Sequence, residues 1–387
     1  MNFDYPPEAE AFRSEFRAWL DSNLDPTLLG GGGAMGALES PEVLERLRAW
    51  NRKLADAGYA AIAWPVEYGG RGAGVMEQVV YAEELSRAGT PGTLNVIGIS
   101  NIAPSIMQWG TEEQKQRFLR PMLRGDEIWC QGFSEPNAGS DLASLQTRAV
   151  ADGDDFVVNG QKVWNTFGNV ADWCELLVRT DPEAPKHKGI SCLLVDMRLP
   201  GIETRPLVTI TGEAEFSEIF FTDVRVPRSA LLGPENEGWR VAMTTLTHER
   251  GGVASLHLGV RKKISNLVEL ARSTTRAGRP AAEDPVLRQG LARLYVEGEY
   301  LKLLSDRAVS GSLHGREAGP ETSLAKLVWS ECETHIAEMA GQLLGPAANT
   351  GKWGRDRVYV RALSIAGGTT QVNKNIIAQR VLGLPRA

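Results

Sequence analysis

Three short segments of the sequence carry residue types that could take part in catalysis. Residues 131–141 read QGFSEPNAGSD, a turn rich in glycine and serine. Such a turn presents backbone N–H groups and hydroxyls without bulky side chains, which suits an electron-rich ligand. Residues 162–166 read KVWNT, and Glu249 stands between His248 and Arg250. Burial raises the pKa of a glutamate, so a glutamate of this kind could serve as a general base near neutral pH if it is buried.

Motifs of several other enzyme classes are absent or incomplete. Residues 31–36 (GGGAMG) match a dinucleotide fingerprint, but no strand precedes them, so a flexible loop is expected. His248 and Glu249 begin a zinc-protease motif, but glycine occupies position 252, so no metal site is predicted. Neither a Walker loop nor a G-x-S-x-G elbow is present. The aspartates of residues 151–156 (ADGDDF) are expected to form a solvated turn.

Composition excludes some classes of partner. The 387 residues carry a net charge of −6, with 42% hydrophobic and 23% charged residues, and no basic run that would bind nucleic acid. No apolar stretch approaches the ~20 residues that span a membrane. The acidic amino terminus is unlike a secretory signal, and the four cysteines show no CxxC pairing. A cytoplasmic protein without structural disulfides is expected.

Helical periodicity dominates both ends of the chain. Residues 9–20 (AEAFRSEFRAWL) place apolar side chains on one helical face. Ser40 followed by Pro41 predicts a helix start, and Thr111 with Gln114 predicts a capping box. We therefore predict an N-terminal helical domain over residues 1–127 and a C-terminal helical domain over 237–387.

The middle of the chain has a β-rich pattern. Short apolar runs separated by proline and glycine predict a β domain over residues 128–236. Asn159-Gly160 lies between two such runs and predicts a tight hairpin turn there.

Residues 131–141 and 162–166 resemble the two flavin-contacting segments of the acyl-CoA dehydrogenase family. Smaller matches at residues 64–70 (WPVEYGG), 110–115 (GTEEQK) and 368–378 (GTTQVNKNIIA) extend the resemblance over nearly the whole chain. It implies an α+β fold with an N-terminal helical domain, a middle β-barrel-like domain and a C-terminal four-helix bundle. It also implies FAD as cofactor and an acyl-CoA as substrate.

The resemblance assigns site residues one by one. Trp164 is implied to pack beside the isoalloxazine, Thr166 to offer a hydroxyl near flavin N5, and Ser140 and Arg250 to contact substrate. The full set implied to bind FAD is Gln131, Phe133, Ser134, Gly139, Ser140, Trp164, Thr166, Thr369 and Gln371.

The position of the catalytic base follows from the same resemblance. The commonest family position lies directly before the Gly-Thr pair, and here it is Gly367, which has no carboxylate. Isovaleryl- and long-chain-type members carry the base immediately before an arginine, and Glu249 before Arg250 matches that position. Glu249 is therefore the expected base, whereas without the family context a surface glutamate paired with an arginine would be the simpler interpretation.

Two departures from the family pattern bear on assembly. Ala277 replaces an aromatic residue, and Pro346 replaces a glycine, in segments that complete the FAD site across a subunit interface in many members. These features resemble actinobacterial dehydrogenases of steroid side chains, which are heterotetramers. The resemblance favours a branched or bulky acyl group as substrate. It implies a tetramer, either a heterotetramer with a related partner subunit or a homotetramer, and an electron-transfer flavoprotein as electron acceptor. The alternatives are a flavin monooxygenase or oxidase and a non-catalytic subunit of a heteromeric dehydrogenase.

Overall fold

The computed structural model describes residues 4–29, 40–249, 255–276, 278–316 and 319–385, and of Glu249 and Glu321 it describes the backbone alone. The helices are α1 (Pro7–Asn23), α2 (Pro41–Asp56), α3 (Val75–Ala88), α4 (Ala103–Trp109), α5 (Glu112–Arg124), α6 (Gly238–Glu249), α7 (Leu256–Ser273), α8 (Pro285–Leu313), α9 (Glu321–Leu344), α10 (Gly351–Leu363) and α11 (Thr370–Ile376). The strands are β1 (Trp129–Gly132), β2 (Arg148–Asp152), β3 (Asp155–Thr166), β4 (Trp173–Arg179), β5 (Ile190–Asp196), β6 (Ile202–Leu207), β7 (Phe216–Pro227), β8 (Thr275–Arg276) and β9 (Arg279–Pro280). The predicted order of helical, β-rich and helical regions is confirmed.

The chain divides into two compact units. The bundle unit comprises the described residues within Met1–Phe16, Val75–Arg87 and Arg250–Ala387, and its core lies among α7, α8 and α9. The sheet unit comprises those within Arg17–Gly74 and Ala88–Glu249, and its main core is enclosed by the strands. None of the helices in the described ranges is long and apolar enough to cross a membrane.

Helix starts follow the capping residues that the sequence provides. The Ser40 side chain accepts a hydrogen bond from the Val43 amide, with proline at the first position of α2, as predicted. Thr111 and Gln114 form both halves of the predicted capping box at α5. Each cap satisfies amides that have no partner within the helix.

The sheet consists of two groups of strands. β6, β7, β3 and β2 pair antiparallel in that order, while β4 pairs parallel with β1 and antiparallel with β5. A single residue pair, Arg148 with Arg179, links β2 to β4. β1 and the end of β3 are thereby brought to the same region of the sheet unit, where the two candidate flavin segments lie.

The predicted hairpin turn at Asn159-Gly160 is wrong. β3 runs straight through that dipeptide, and the turn falls earlier, at Gly153, with Asp152 and Asp155 paired beside it. A Cβ at Gly160 would lie 2.7 Å from the Thr147 Cα, so the glycine serves close backbone approach at a register shift. The ADGDDF aspartates do form an exposed turn, as expected.

Candidate active site

The first candidate segment begins in β1 and continues into an exposed turn. Glu135 and Ala138 exchange two backbone hydrogen bonds of 3.0 Å, which close the turn. Gly139 and Ser140 lie beyond it and are exposed. A methyl group added at Gly139 would meet no atom of the described chain within 4 Å. The turn therefore leaves open space beside its backbone.

The second segment contains a β-bulge at its end. The pairing of β3 with β7 shifts between Lys162 and Asn165, so one extra residue is accommodated. Trp164 lies in this bulge with a φ of +63°, in the left-handed region that non-glycine residues seldom adopt. Its indole is 61% exposed and touches the Phe216 ring edge-on, with centroids 5.7 Å apart. A large apolar ring held outward in a costly backbone conformation indicates a ligand contact.

Backbone and amide hydrogen bonds join the two segments. The Val163 amide donates to the Ser134 carbonyl at 2.9 Å, and the Asn165 side-chain amide donates to the Gln131 carbonyl at 2.5 Å. Asn165 is buried, so this bond is shielded from water. Two carbonyls of the first segment are therefore satisfied by the second, which links the two segments directly.

A buried ion pair reinforces the same junction. The Lys162 ammonium is fully buried and donates to the Phe133 carbonyl at 3.0 Å and to Glu135 Oε1 at 2.8 Å. The Glu135 carboxylate also accepts the backbone amides of Gln146 and Thr147, at 2.7 and 2.8 Å. Every oxygen of the carboxylate is thus paired, which is what a buried charge requires.

Burial and the partner's charge act in opposite directions on each member of this pair. Burial tends to raise the pKa of Glu135, but the Lys162 ammonium and the hydrogen bonds from residues 146 and 147 hold that pKa below its ordinary value. Burial lowers the pKa of Lys162, and the Glu135 carboxylate opposes that fall. The charge of each partner therefore favours the ionic form of the other.

Thr369 and Gln371 lie in the bundle unit, at the start of α11. The Thr369 hydroxyl accepts a hydrogen bond from the Val372 amide and so caps the helix. Gln371 is exposed and Thr369 is half-buried. Both side chains are therefore accessible at one helix end.

The turn before α11 is built from glycines. Gly367 and Gly368 have φ values of +64° and +93°. The Gly368 carbonyl accepts hydrogen bonds from the Lys326 ammonium at 2.9 Å and the Asn373 side chain at 2.8 Å. Gly367, the residue at the commonest base position of the family, is therefore held in a left-handed turn that favours glycine.

Glu249 is the last residue of α6, and its side chain and all of Arg250 lie outside the described residues. His248 is exposed, and its Nδ1 lies 2.9 Å from the Thr244 carbonyl of the same helix. That contact is local to α6.

The two altered interface segments approach each other in the bundle unit. A guanidinium nitrogen of Arg276, on β8, donates to the Gln342 carbonyl at 2.9 Å. Pro346 lies in a 3₁₀ turn after α9, and Ala277 falls outside the described residues.

Sequence reasoning missed two buried groups that organise the sheet unit. One is the Lys162–Glu135 pair, which was hidden inside the two motifs. The other is Glu175, a fully buried glutamate at the middle of the apolar strand β4. A charged residue type within the run WCELLV was the available signal, because such residues are rarely buried without a partner.

The accessible residues fit a flavin. Trp164 offers a ring face, Ser140 and half-buried Thr166 offer hydroxyls, and the open side of Gly139 admits a planar edge without steric conflict. No group of three His, Cys, Asp or Glu side chains within the described ranges could hold a metal ion.

Known proteins are similar to this chain over nearly its whole length. Sequence models of the acyl-CoA dehydrogenase N-terminal, middle and C-terminal domains match residues 6–126, 130–224 and 236–382. Acyl-CoA dehydrogenase IpdE1 of Mycobacterium tuberculosis is 40% identical over 98% of both chains. The solved ChsE4–ChsE5 complex of M. tuberculosis is 35% identical over the full length of both chains, with a TM-score of 0.86. The Tcur3481–Tcur3483 steroid acyl-CoA dehydrogenase is 32% identical over the same extent, with a TM-score of 0.87.

The chain belongs to the acyl-CoA dehydrogenase family and has its fold, with N-terminal helical, middle β and C-terminal helical domains. It is a flavin-dependent oxidoreductase that acts on acyl-CoA. The resemblance drawn from the sequence motifs is therefore confirmed.

Proposed function

We propose that the protein catalyses the FAD-dependent α,β-dehydrogenation of a branched or bulky acyl-CoA to the 2-enoyl-CoA, with Glu249 as the base. The observation that carries this proposal is the junction of the two flavin segments. There the Lys162–Glu135 pair ties the strand that carries the exposed, left-handed Trp164 to the turn that leads to the open position at Gly139. This arrangement fits a planar cofactor.

The reaction divides between the cofactor and the side chains. Glu249 takes the α-proton of the thioester, the β-hydrogen leaves with its electron pair, and a carbon–carbon double bond forms. Bound FAD supplies the acceptor for that hydride. The residues we assign to hold it are Gln131, Phe133, Ser134, Gly139, Ser140, Trp164, Thr166, Thr369 and Gln371. Ser140 and Arg250 are assigned to substrate.

The acyl group and the assembly are inferred from relatives and from sequence departures. One relative is described as a steroid acyl-CoA dehydrogenase, and two of the similar structures contain two differently named proteins. Together with Ala277 and Pro346 in the interface segments, this supports a bulky, steroid-like acyl group and a related partner subunit in a heterotetramer, with a homotetramer as the alternative. We also infer a cytoplasmic protein that passes electrons to an electron-transfer flavoprotein.

The domain boundaries after residues 127 and 236 are part of the same proposal. They are supported by the spans of the three family models, which leave short gaps at residues 127–129 and 225–235.

Anaerobic titration of the purified protein with acyl-CoAs tests the proposed function. The panel runs from straight short chains to branched and ring-bearing acyl groups, and the flavin absorbance reports reduction. We expect bleaching by a branched or ring-bearing thioester. Bleaching by short straight chains alone would overturn the bulky-substrate assignment, and a flavin that no thioester reduces would favour an oxygenase.

The state of the purified chain tests the assembly. We expect incomplete flavin loading when the chain is expressed alone, because its cross-subunit segments depart from the family pattern. A flavin-saturated, fully active homotetramer would contradict the partner proposal. A chain that binds neither flavin nor thioester with or without a partner would show a non-catalytic subunit.

A further inference from the structure

Glu175 lies in the interior of the sheet unit, and no cationic side chain among the described residues pairs with it. It stands at the middle of β4 and is 0% exposed. The Thr245 hydroxyl, on α6, donates to its Oε1 at 2.8 Å, and the Cys192 thiol, on β5, lies 3.9 Å from the same oxygen. Its Oε2 has no hydrogen-bond partner within the part of the chain that the structure describes. Half of a buried carboxyl group is therefore unsatisfied.

The hydrogen-bond chain continues from Glu175 through α6 into α4. The hydroxyl oxygens of Thr245 and Ser105 are 2.6 Å apart, and both side chains are fully buried. The neighbouring Thr244 accepts the Trp109 indole N–H at 3.0 Å. Two consecutive threonines therefore attach α6 to α4, and one of them also attaches it to the sheet.

Glu175 is a neutral acid at neutral pH. Burial raises the pKa of its carboxyl to about 8, against which the hydrogen bonds from Thr245 and Cys192 act only in part. The titratable group that acts on it is the Cys192 thiol, whose own pKa burial raises well above its ordinary value. The other thiol nearby is that of Cys174, its neighbour on β4, whose pKa is raised by a hydrogen bond with Cys130 and by burial. A neutral carboxyl can donate to Thr245 or accept from it, so the chain to Ser105 is satisfied in either direction.

Thr245 lies one helical turn before Glu249, the last residue of α6. A hydrogen bond at residue 245 therefore acts on the turn that bears the proposed base. Catalytic geometry is sensitive at this scale, since a displacement of about 1 Å can cost about a hundredfold in rate.

We propose that Glu175 is a positioning residue for the dehydrogenation: through its hydrogen bond with Thr245, it fixes the last turn of α6 and with it the backbone of Glu249. This inference rests on the proposed role of Glu249 as base. It gives a reason for an otherwise unfavourable group, because a buried carboxyl with an unpaired oxygen lowers stability.

A role in stability and a role in positioning predict opposite results for Glu175→Leu. Leucine is close in volume and removes the unpaired oxygen, so the folded state is expected to be as stable as wild type or more so. The same substitution removes the hydrogen bond to Thr245, so the last turn of α6 is no longer held in place and the rate should fall. Glu175→Gln retains a neutral acceptor for Thr245 and is the matched conservative variant.

The experiment measures flavin reduction by a saturating acyl-CoA in rapid mixing, together with flavin content and the thermal midpoint of the holoenzyme. We expect Glu175→Leu to lower the limiting rate of flavin reduction about tenfold to a hundredfold. The half-saturating substrate concentration, the flavin content and the thermal midpoint should be retained. Glu175→Gln should stay close to wild type. A wild-type rate in Glu175→Leu, or a loss that only parallels lost flavin and stability, would overturn the proposal.

Two further variants keep the result decisive. Thr245→Val removes the same bond from the helix side and should reproduce the loss, which settles the question if Glu175→Leu does not fold. Glu249→Gln is measured in parallel. If it is inactive while Glu175→Leu and Thr245→Val are normal, only the positioning role fails, whereas an active Glu249→Gln overturns the proposed function and this inference together.

Discussion

The Lys162 ammonium lies 2.8 Å from Glu135 Oε1, and this buried ion pair joins β3 to the turn that follows β1. Because the lysine also donates to the Phe133 carbonyl, one cation fixes both the backbone and a side chain of the first flavin segment. Lys162 lies two residues before Trp164, and Glu135 lies four residues before Gly139. The ion pair therefore ties the strand that carries Trp164 to the turn that leads to Gly139.

Lys162→Met is expected to destabilise the protein by about 3–5 kcal/mol, because it leaves the Glu135 carboxylate buried without its cation. Flavin content should fall as well. Urea denaturation and the absorbance of the purified protein measure the two effects.

Lys186→Met is the control for that variant. Lys186 pairs with Asp141 of the same turn, but both side chains are largely exposed. Lys186→Met should lower the free energy of unfolding by no more than about 1 kcal/mol. Equal losses in the two lysine variants would show that burial of the Lys162 pair has no special consequence.

Trp164→Ala should remove flavin affinity with little change in the unfolding free energy, because the indole is exposed in the free chain. Phe167 is the matched residue, since it has the same φ of +63° but is fully buried. Phe167→Ala should cost about 3–5 kcal/mol. Calorimetry of flavin binding measures the loss of affinity, and denaturation of the apoprotein measures the loss of stability. A Trp164→Ala apoprotein as unstable as Phe167→Ala would mean that the indole is a core residue.

Gly139→Ala tests whether the open turn is reserved for a ligand. The added methyl meets no described atom within 4 Å, so the stability of the apoprotein should be unchanged while flavin binding weakens. Gly132→Ala is the contrasting variant, because its Cβ would lie 2.7 Å from Cys174 Sγ and must displace core atoms. If Gly139→Ala binds flavin normally, the space beside it is not part of the cofactor site.

Short-range sequence signals predicted the helix starts well, because a helix cap is formed by residues that are close together in sequence. Ser40 and Thr111 cap the helices that they were expected to cap. Asn159-Gly160 failed for the opposite reason: the dipeptide favours a turn, but a long-range contact with Thr147 selects a glycine within a continuous strand. Strand register depends on partners that are distant in sequence.

The flavin segments were predictable as motifs, whereas the groups that hold them together were not. Asn165 and Lys162 form their bonds with residues about thirty positions away, a separation that periodicity does not encode. Glu175 depends on Thr245, which is still more distant in sequence. The sequence marks such residues only as polar types within apolar strands.

Glu175 should also give stability a distinct pH dependence. Its pKa is raised from 4.5 in the unfolded chain to about 8 in the fold, so between these values the folded state holds a proton that the unfolded state releases. Its contribution to the free energy of unfolding therefore falls as pH rises through that window, by up to about 1.4 kcal/mol per pH unit. Denaturation at several pH values should show this slope in wild type and its loss in Glu175→Gln. Parallel curves for the two proteins would mean that Glu175 is ionised in the fold.

Rapid-mixing reduction of the Glu249→Gln holoenzyme tests the central claim most directly. Glutamine keeps the shape of the side chain but cannot take the α-proton, and Glu331→Gln, at an exposed position on α9, is the matched control. We predict that Glu249→Gln binds flavin and acyl-CoA but leaves the flavin oxidised, losing at least about a hundredfold in reduction rate, while Glu331→Gln is reduced like wild type. Reduction of Glu249→Gln at the wild-type rate would contradict the assignment of the base and the mechanism built on it.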